Sequence, residues 1–157
     1  MEISFTKRGS KNHIISCKRK NGTVTWMHSS SFFITHDLCH YAVETKLSLK
    51  KAFYGMLADG TDINDFELPK EQRPFQLTEE AIIAEHLVNL LAIEYTRGRI
   101  ENFIQILKEG YLKENYAAEP KEIKQEKIDE IRNLFEKLMN QWVLLPEEDT
   151  MALNFTE

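Results

Sequence analysis

The stretch Thr35-His36-Asp37-Leu38-Cys39-His40-Tyr41-Ala42-Val43-Glu44 carries the side chains best suited to chemistry. At about 100° per residue on a helix, His36, His40 and Glu44 follow one slowly drifting line, so their side chains can converge on a point above it. Two histidines four residues apart let one helix grip a transition metal, because both rings reach the same point from successive turns. Asp37 adjoins Glu44 around the circumference, at the acidic edge, while Cys39, Val43 and Leu47 flank the histidines on the other side. The pair therefore lies on the border between an apolar stripe and a polar face, the position a half-buried divalent ion such as zinc requires. Glu44 has rotated by about 80° from the start of that line, so packing decides whether it faces the ion.

One helix supplies too few ligands for a tight site. A second helix, capped by Thr78 and running to Thr96, is apolar almost all round, which predicts burial. Glu85 and Asn89 interrupt that surface one turn apart, and a buried carboxylate needs a cation or donor beside it. Glu85 is thus the expected further ligand or supporting acid, with His86, about 100° away, as the reserve. Each residue also has a plainer use. The histidines can cap backbone groups, Asp37 can favour a helix dipole, and Glu85 can hydrogen-bond Asn89. Cys39 reads as a small buried hydrophobe, His13 and His28 as ordinary sheet or surface residues, and Tyr41 and Trp142 as core or rim.

The elements that must position these groups follow from periodicity. Ile3 to Thr6, His13 to Arg19 and Thr23 to His28 read as strands, and Asn21-Gly22 between the last two predicts a hairpin with a type I′ turn. Val24 and Trp26 share a face of the third strand. Helices are expected from about His36 to Leu47 with Thr35 as N-cap and Asp37 in the first turn, and from Leu49 to Ala58 with Ser48 as cap. Asp59 to Leu77, with Pro69, Pro74 and many acids, reads as a solvated connecting loop. Leu77 and Ile82 bracket the Thr78 cap as a hydrophobic staple, and Gly98 ends the helix.

A further helix is expected from about Ile100 to Tyr116, with Tyr111 on its apolar side and Pro120 beyond it. The last helix places Ile128, Ile131, Phe135, Leu138 and Trp142 on a core stripe and closes at Pro146. Met151, Leu153 and Phe155 alternate in a final strand suited to pairing with the N-terminal hairpin. The fold class is α+β: a small antiparallel sheet, the hairpin plus the C-terminal strand, on a bundle of about five helices.

A length of 157 residues suits a single domain, 1–157. With 42% hydrophobic residues the chain can build a core, and a formal charge of −5 argues against a nucleic-acid partner. No apolar run approaches the roughly 20 residues of a membrane span, and no apolar segment follows the basic N-terminal residues as in a secretory signal. Two cysteines, Cys17 and Cys39, make no disulfide framework, so a cytoplasmic protein is expected. Gly55 to Thr61 has the glycines of a phosphate-binding loop but threonine where lysine is needed, and Asp59, Asp62, Asn64, Asp65 and Glu67 lack the spacing of a calcium loop. The charged last helix, with its heptad-like stripe, could also join two copies in a homodimer.

The string HDLCHYAVE resembles a segment found in uncharacterised bacterial proteins, which implies a family and no activity. Its HDxxH core is similar to the HExxH helix of zinc peptidases, which implies His36 and His40 as ligands and Asp37 as general base on a metal-bound water. It also looks like the HDxxH zinc motif of a ubiquinone-biosynthesis family, whose further Glu falls here on Ala52, with Glu44 nearer at hand. The His-Asp doublet of metal-dependent phosphohydrolases is a third likeness, without their histidine on an earlier helix.

Two readings result. In the first, His36 and His40, completed by Glu44, Asp37 or Glu85, hold one divalent ion. The chemistry would be hydrolysis of a small-molecule substrate, with a carboxylate such as Asp37 or Glu44 taking the proton of water. In the second, the same residues form a buried hydrogen-bond network in a non-enzymatic domain that binds a protein partner.

Overall fold

The computed structural model describes residues 1–9, 12–113 and 123–156. Four strands, β1 (Glu2–Thr6), β2 (His13–Lys18), β3 (Val24–Ser29) and β4 (Thr150–Asn154), form one antiparallel sheet in the order β3-β2-β1-β4. Five helices accompany it: α1 (Ser31–Leu47), α2 (Phe53–Ala58), α3 (Glu79–Arg97), α4 (Phe103–Lys113) and α5 (Gln125–Leu144). The fold is α+β, with the expected hairpin and C-terminal strand in one sheet. The register pairs Ile3 with Cys17 on one side and with Leu153 on the other, so strand alternation sends Ile3, Phe5, Ile15, Cys17 and Met151 into the core. Thr25, Met27 and Ser29 turn inward from β3, leaving Val24 and Trp26 together on the outer face.

The hairpin stands, but its turn differs from expectation. Arg19 N donates to Thr23 O, Gly22 N donates to Arg19 O, and only Gly22 has positive φ, at 85°. Three residues therefore connect the strands in a tight turn followed by a left-handed glycine, and Asn21 instead uses its side chain to accept from Thr23 N.

α1 begins five residues earlier than predicted. Ser30 caps it by accepting from Phe33 N, while Thr35 lies inside the helix and donates its hydroxyl back to Ser31 O. Asp37 is consequently in the second turn and not the first. Sequence periodicity misses this first turn because its apolar residues, Phe32 and Phe33, stay exposed and give no helical stripe. Ser48 does not open the next helix. It closes α1 in the left-handed conformation, with φ 54° and ψ 41°, and α2 starts only at Phe53.

α1 packs against the sheet, α3 and α5, so it is buried on most sides and its polar residues Asp37, His40 and Glu44 lie inside the protein. α3 keeps the Thr78 cap, which accepts from Ala81 N, and the Gly98 stop at φ 98°. It is less enclosed than its composition suggests: Ile93 and Tyr95 are about half exposed. α4 starts at Phe103; the expected extension to Tyr116, the Tyr111 side chain and the break at Pro120 lie outside the described residues. The α5 stripe from Ile128 to Trp142 is buried within this chain. Lys7 Nζ closes α5 by donating to Trp142 O, Val143 O and Leu145 O at 3.2, 3.1 and 2.8 Å, satisfying carbonyls a helix end leaves open.

Asp59 to Leu77 is more than a solvated loop. Two short 3-10 turns, Ile63–Glu67 and Lys70–Gln72, fold back on the domain, and Ile63 is fully buried, its N–H donating to Thr25 Oγ1 at 2.9 Å. Phe66 meets Phe53 edge to face and Phe75 at a tilt, with centroids 4.8 and 4.7 Å away. No helix among the described residues is long and apolar enough to cross a membrane.

Candidate metal centre

α1 and α3 face each other where three predicted residues meet. His36 Nε2 lies 3.5 Å from Glu85 Oε1, and His40 Nε2 lies 3.2 Å from Glu85 Oε2. One ligand atom from each of His36, His40 and Glu85 lies within 4.8 Å of the others. The remaining ring nitrogens are also engaged by carboxylates. His40 Nδ1 is 3.1 Å from Glu44 Oε1, and His36 Nδ1 is 3.6 Å from Asp37 Oδ1. Each imidazole is thus directed outward to Glu85 by an acid of its own helix, the arrangement that fixes the tautomer of metal-ligating histidines.

The five candidates therefore divide into two roles. His36, His40 and Glu85 converge, whereas Glu44 and Asp37 stand behind the rings. Glu44 is fully buried, and its second oxygen accepts from Tyr54 N at 2.9 Å. α2 has no side-chain cap of its own at Ala52, so Glu44 serves its first turn from a distance. Asp37 is buried as well, and its backbone carbonyl accepts from Tyr54 Oη at 3.0 Å. Glu85, expected to be buried, has a half-exposed side chain, and Asn89 Nδ2 donates to its Oε1 at 3.3 Å. His86 is outside the cluster, on the side of α3 near Gly110. His13 is a buried sheet residue, bonded to Arg8 N and Ser31 Oγ, and Cys17 and Cys39 are buried free thiols.

The cluster forms the floor of a pocket of about 370 Å³. Its walls come from Phe33, Phe53, Phe66, Ile63 and Leu77, with Glu67 and Arg73 as further polar groups beside the site residues. Phe53, Phe66 and Arg73 carry no motif that marks them as site residues in the sequence. The apolar residues spaced through 63–77 were the available signal, since a solvated loop has no need of them.

The electrostatics are strongly coupled. Burial pulls the His40 pKa down, but hydrogen bonds to Glu44 and Glu85 outweigh it and raise the value from 6.5 to about 9. His36 is raised in the same way, burial being overcome by Asp37 and Glu85. The two histidines hold the Glu85 carboxyl well below its usual range. Burial pushes the Glu44 carboxyl up, against the opposing effects of His40 and the N–H groups of Tyr54 and Gly55.

A pH dependence follows for metal-free protein. The folded chain holds the His40 proton to about pH 9, whereas an unperturbed histidine releases it near 6.5. The resulting stabilisation is fully present below 6.5 and is lost as pH rises through about 9. Glu85 acts in the opposite sense: its contribution is present above its ordinary value and lost as pH falls. Urea midpoints of metal-free protein measured from about pH 6 to about pH 9 should decline, and His40→Gln should flatten the decline.

Chemically, the set offers two imidazole nitrogens and one carboxylate. Two ligands about 2.1 Å from a tetrahedral ion stand about 3.4 Å apart; here the two imidazoles approach different oxygens of Glu85, at 3.5 and 3.2 Å, and one ligand atom from each residue lies within 4.8 Å of the others, so the side chains would draw together on an ion. The same contacts also suit imidazolium rings held between carboxylates. No protein-family model, curated protein or solved structure matches the chain.

Proposed function

We propose that His36, His40 and Glu85 bind one divalent ion, zinc being the best chemical match, and that the pocket above it is the active site of a small metal-dependent hydrolase. The observation that carries this reading is the convergence of both Nε2 atoms on Glu85, with a carboxylate behind each Nδ1, at the floor of a concave pocket. Three protein ligands leave a coordination position for water, and the ion would supply a lowered water pKa and a polarised substrate carbonyl or phosphoryl oxygen. Asp37 lines the pocket beside His36 and is the residue to receive the water's proton. Glu44, turned away from the pocket, holds His40 in register. Phe53 and Phe66 keep water from the substrate's apolar portion.

Elemental analysis of untagged protein prepared without chelators tests the ion. Near-stoichiometric metal in wild type and none in the His36→Ala, His40→Ala double variant is the expected result. Wild type that carries no metal and takes up no added zinc, manganese or iron overturns it. The second reading, a hydrogen-bond network in a protein-binding domain, is favoured by the bonding of both His40 nitrogens to carboxylates at 3.1 and 3.2 Å. It predicts instead that added metal leaves stability unchanged, because a network whose hydrogen bonds are already satisfied takes up no ion.

A further inference from the structure

The pocket above the histidines contains a cation that the proposed metal centre does not use. Arg73 lines the pocket, and two of its five N–H groups are committed: Nε donates to Leu68 O and Nη2 to Phe66 O, both at 2.9 Å. Those carbonyls belong to the same folded segment, so they fix the plane of the guanidinium without neutralising it. Among the described residues no carboxylate forms an ion pair with Arg73; Glu67 lines the same pocket but is not its partner. Segment 59–77, tied to the sheet through Ile63 N and Thr25 Oγ1, thus places a guanidinium of fixed plane, its Nε–Nη2 edge held by backbone and its Nη1 uncommitted among the described residues, in the lining of a small pocket with aromatic walls.

We infer that the pocket takes a small carboxylate with an apolar, ring-sized body, its carboxylate received by Arg73 and its body lying against Phe33, Phe53 and Phe66. Charge selects the carboxylate over a phosphate. Asp37 and Glu85 are already paired with His36 and His40, which leaves Arg73 and Glu67 as the remaining opposite charges of the lining, and a phosphate dianion adds one more uncompensated charge beside Glu67 than a carboxylate does. Volume sets the size, since about 370 Å³ accommodates a small molecule and not a polymer. Placing the reacting bond near His36, His40 and Glu85 rests on the metal reading; the anion anchor does not.

The test uses the full chain, with and without zinc, and 3-phenylpropanoate as probe against its neutral amide and 2-phenylethylphosphonate, with binding followed by NMR. Wild type should bind the acid in preference to both analogues, and Arg73→Gln should weaken the acid by about tenfold or more while leaving the amide unchanged. Arg73→Lys, which keeps the charge but not the fork, should lie between them, and it serves as the reporter if Arg73→Gln fails to fold. A purely structural role for Arg73 would not separate acid from amide. Three results overturn the inference: no acid binding by wild type at millimolar concentration, equal binding of acid and amide, or acid binding indifferent to Arg73→Gln. The last of these, combined with loss in the His36→Ala, His40→Ala variant, places the carboxylate on the histidine cluster. Failure of the metal reading is recognised separately, by zinc content, and acid binding that still depends on Arg73 in zinc-free protein keeps the anchor.

Discussion

Glu44→Ala is expected to destabilise the protein by about 3 kcal/mol, because removing one member of a buried charged pair leaves His40 with only the half-exposed Glu85 as counter-charge. The substitution strands two groups in the interior. His40 Nδ1 loses an acceptor 3.1 Å away, and Tyr54 N loses the oxygen that satisfies the start of α2 at 2.9 Å. Both groups lie in the interior, where Glu44 itself has no exposure. Glu44→Gln separates the charge from the hydrogen bonds. Its carbonyl oxygen can still accept from Tyr54 N or His40, so roughly half of the loss should be recovered. Metal affinity should nevertheless fall by about tenfold to a hundredfold, as an amide is a weaker support for a ligating imidazole than a carboxylate. Urea denaturation and zinc titration of the two variants measure these effects. A Glu44→Ala protein as stable as wild type would show that the buried contacts are worth little to the fold.

The spacing of His36, His40 and Glu44 was enough to indicate that one helix gathers titratable groups, and the interruption of an apolar helix at Glu85 was enough to indicate the opposing acid. Sequence periodicity could not assign their roles. Glu44 lies on the histidine line, yet the ion would be held by Glu85, because α2 approaches α1 from behind and claims Glu44 for its own unsatisfied N–H groups. That approach depends on the chain reversal between Ser48 and Phe53, which local propensity did not indicate: Ser48 looks like a helix start and is a helix end. Sheet and core were legible where alternation was strict, as in Met151, Leu153 and Phe155. The apolar residues of 63–77 signal that the segment packs, but not which of them face the pocket, because Phe66 and Arg73 sit among acids and prolines that give no periodicity.

Gly55→Ala tests the same chain reversal from its other side, and two opposing effects decide the outcome. Replacing glycine by alanine inside a helix ordinarily gains about 0.5–1 kcal/mol through backbone entropy. At Gly55, however, an added Cβ would lie 2.0 Å from Lys50 O and 2.3 Å from Lys50 C, both backbone atoms with no flexible end to swing aside. The segment 50–52 must then separate from the first turn of α2, and overpacking of this kind costs about 1–3 kcal/mol, the upper end being expected where backbone atoms clash, which exceeds the propensity gain. The damage should extend to the site. Displacing α2 moves Tyr54 N from Glu44 and moves Phe53, whose ring centroid is 5.3 Å from that of His40, so zinc affinity should fall along with stability. Gly110→Ala in α4 is the internal control: its nearest outside atom would be His86 Nδ1 at 4.0 Å, an ordinary contact, and the same substitution there should stabilise the protein. Opposite signs for the two glycines in one urea series would establish that the close approach at Lys50, and not a general glycine effect, holds α2 against the histidine helix.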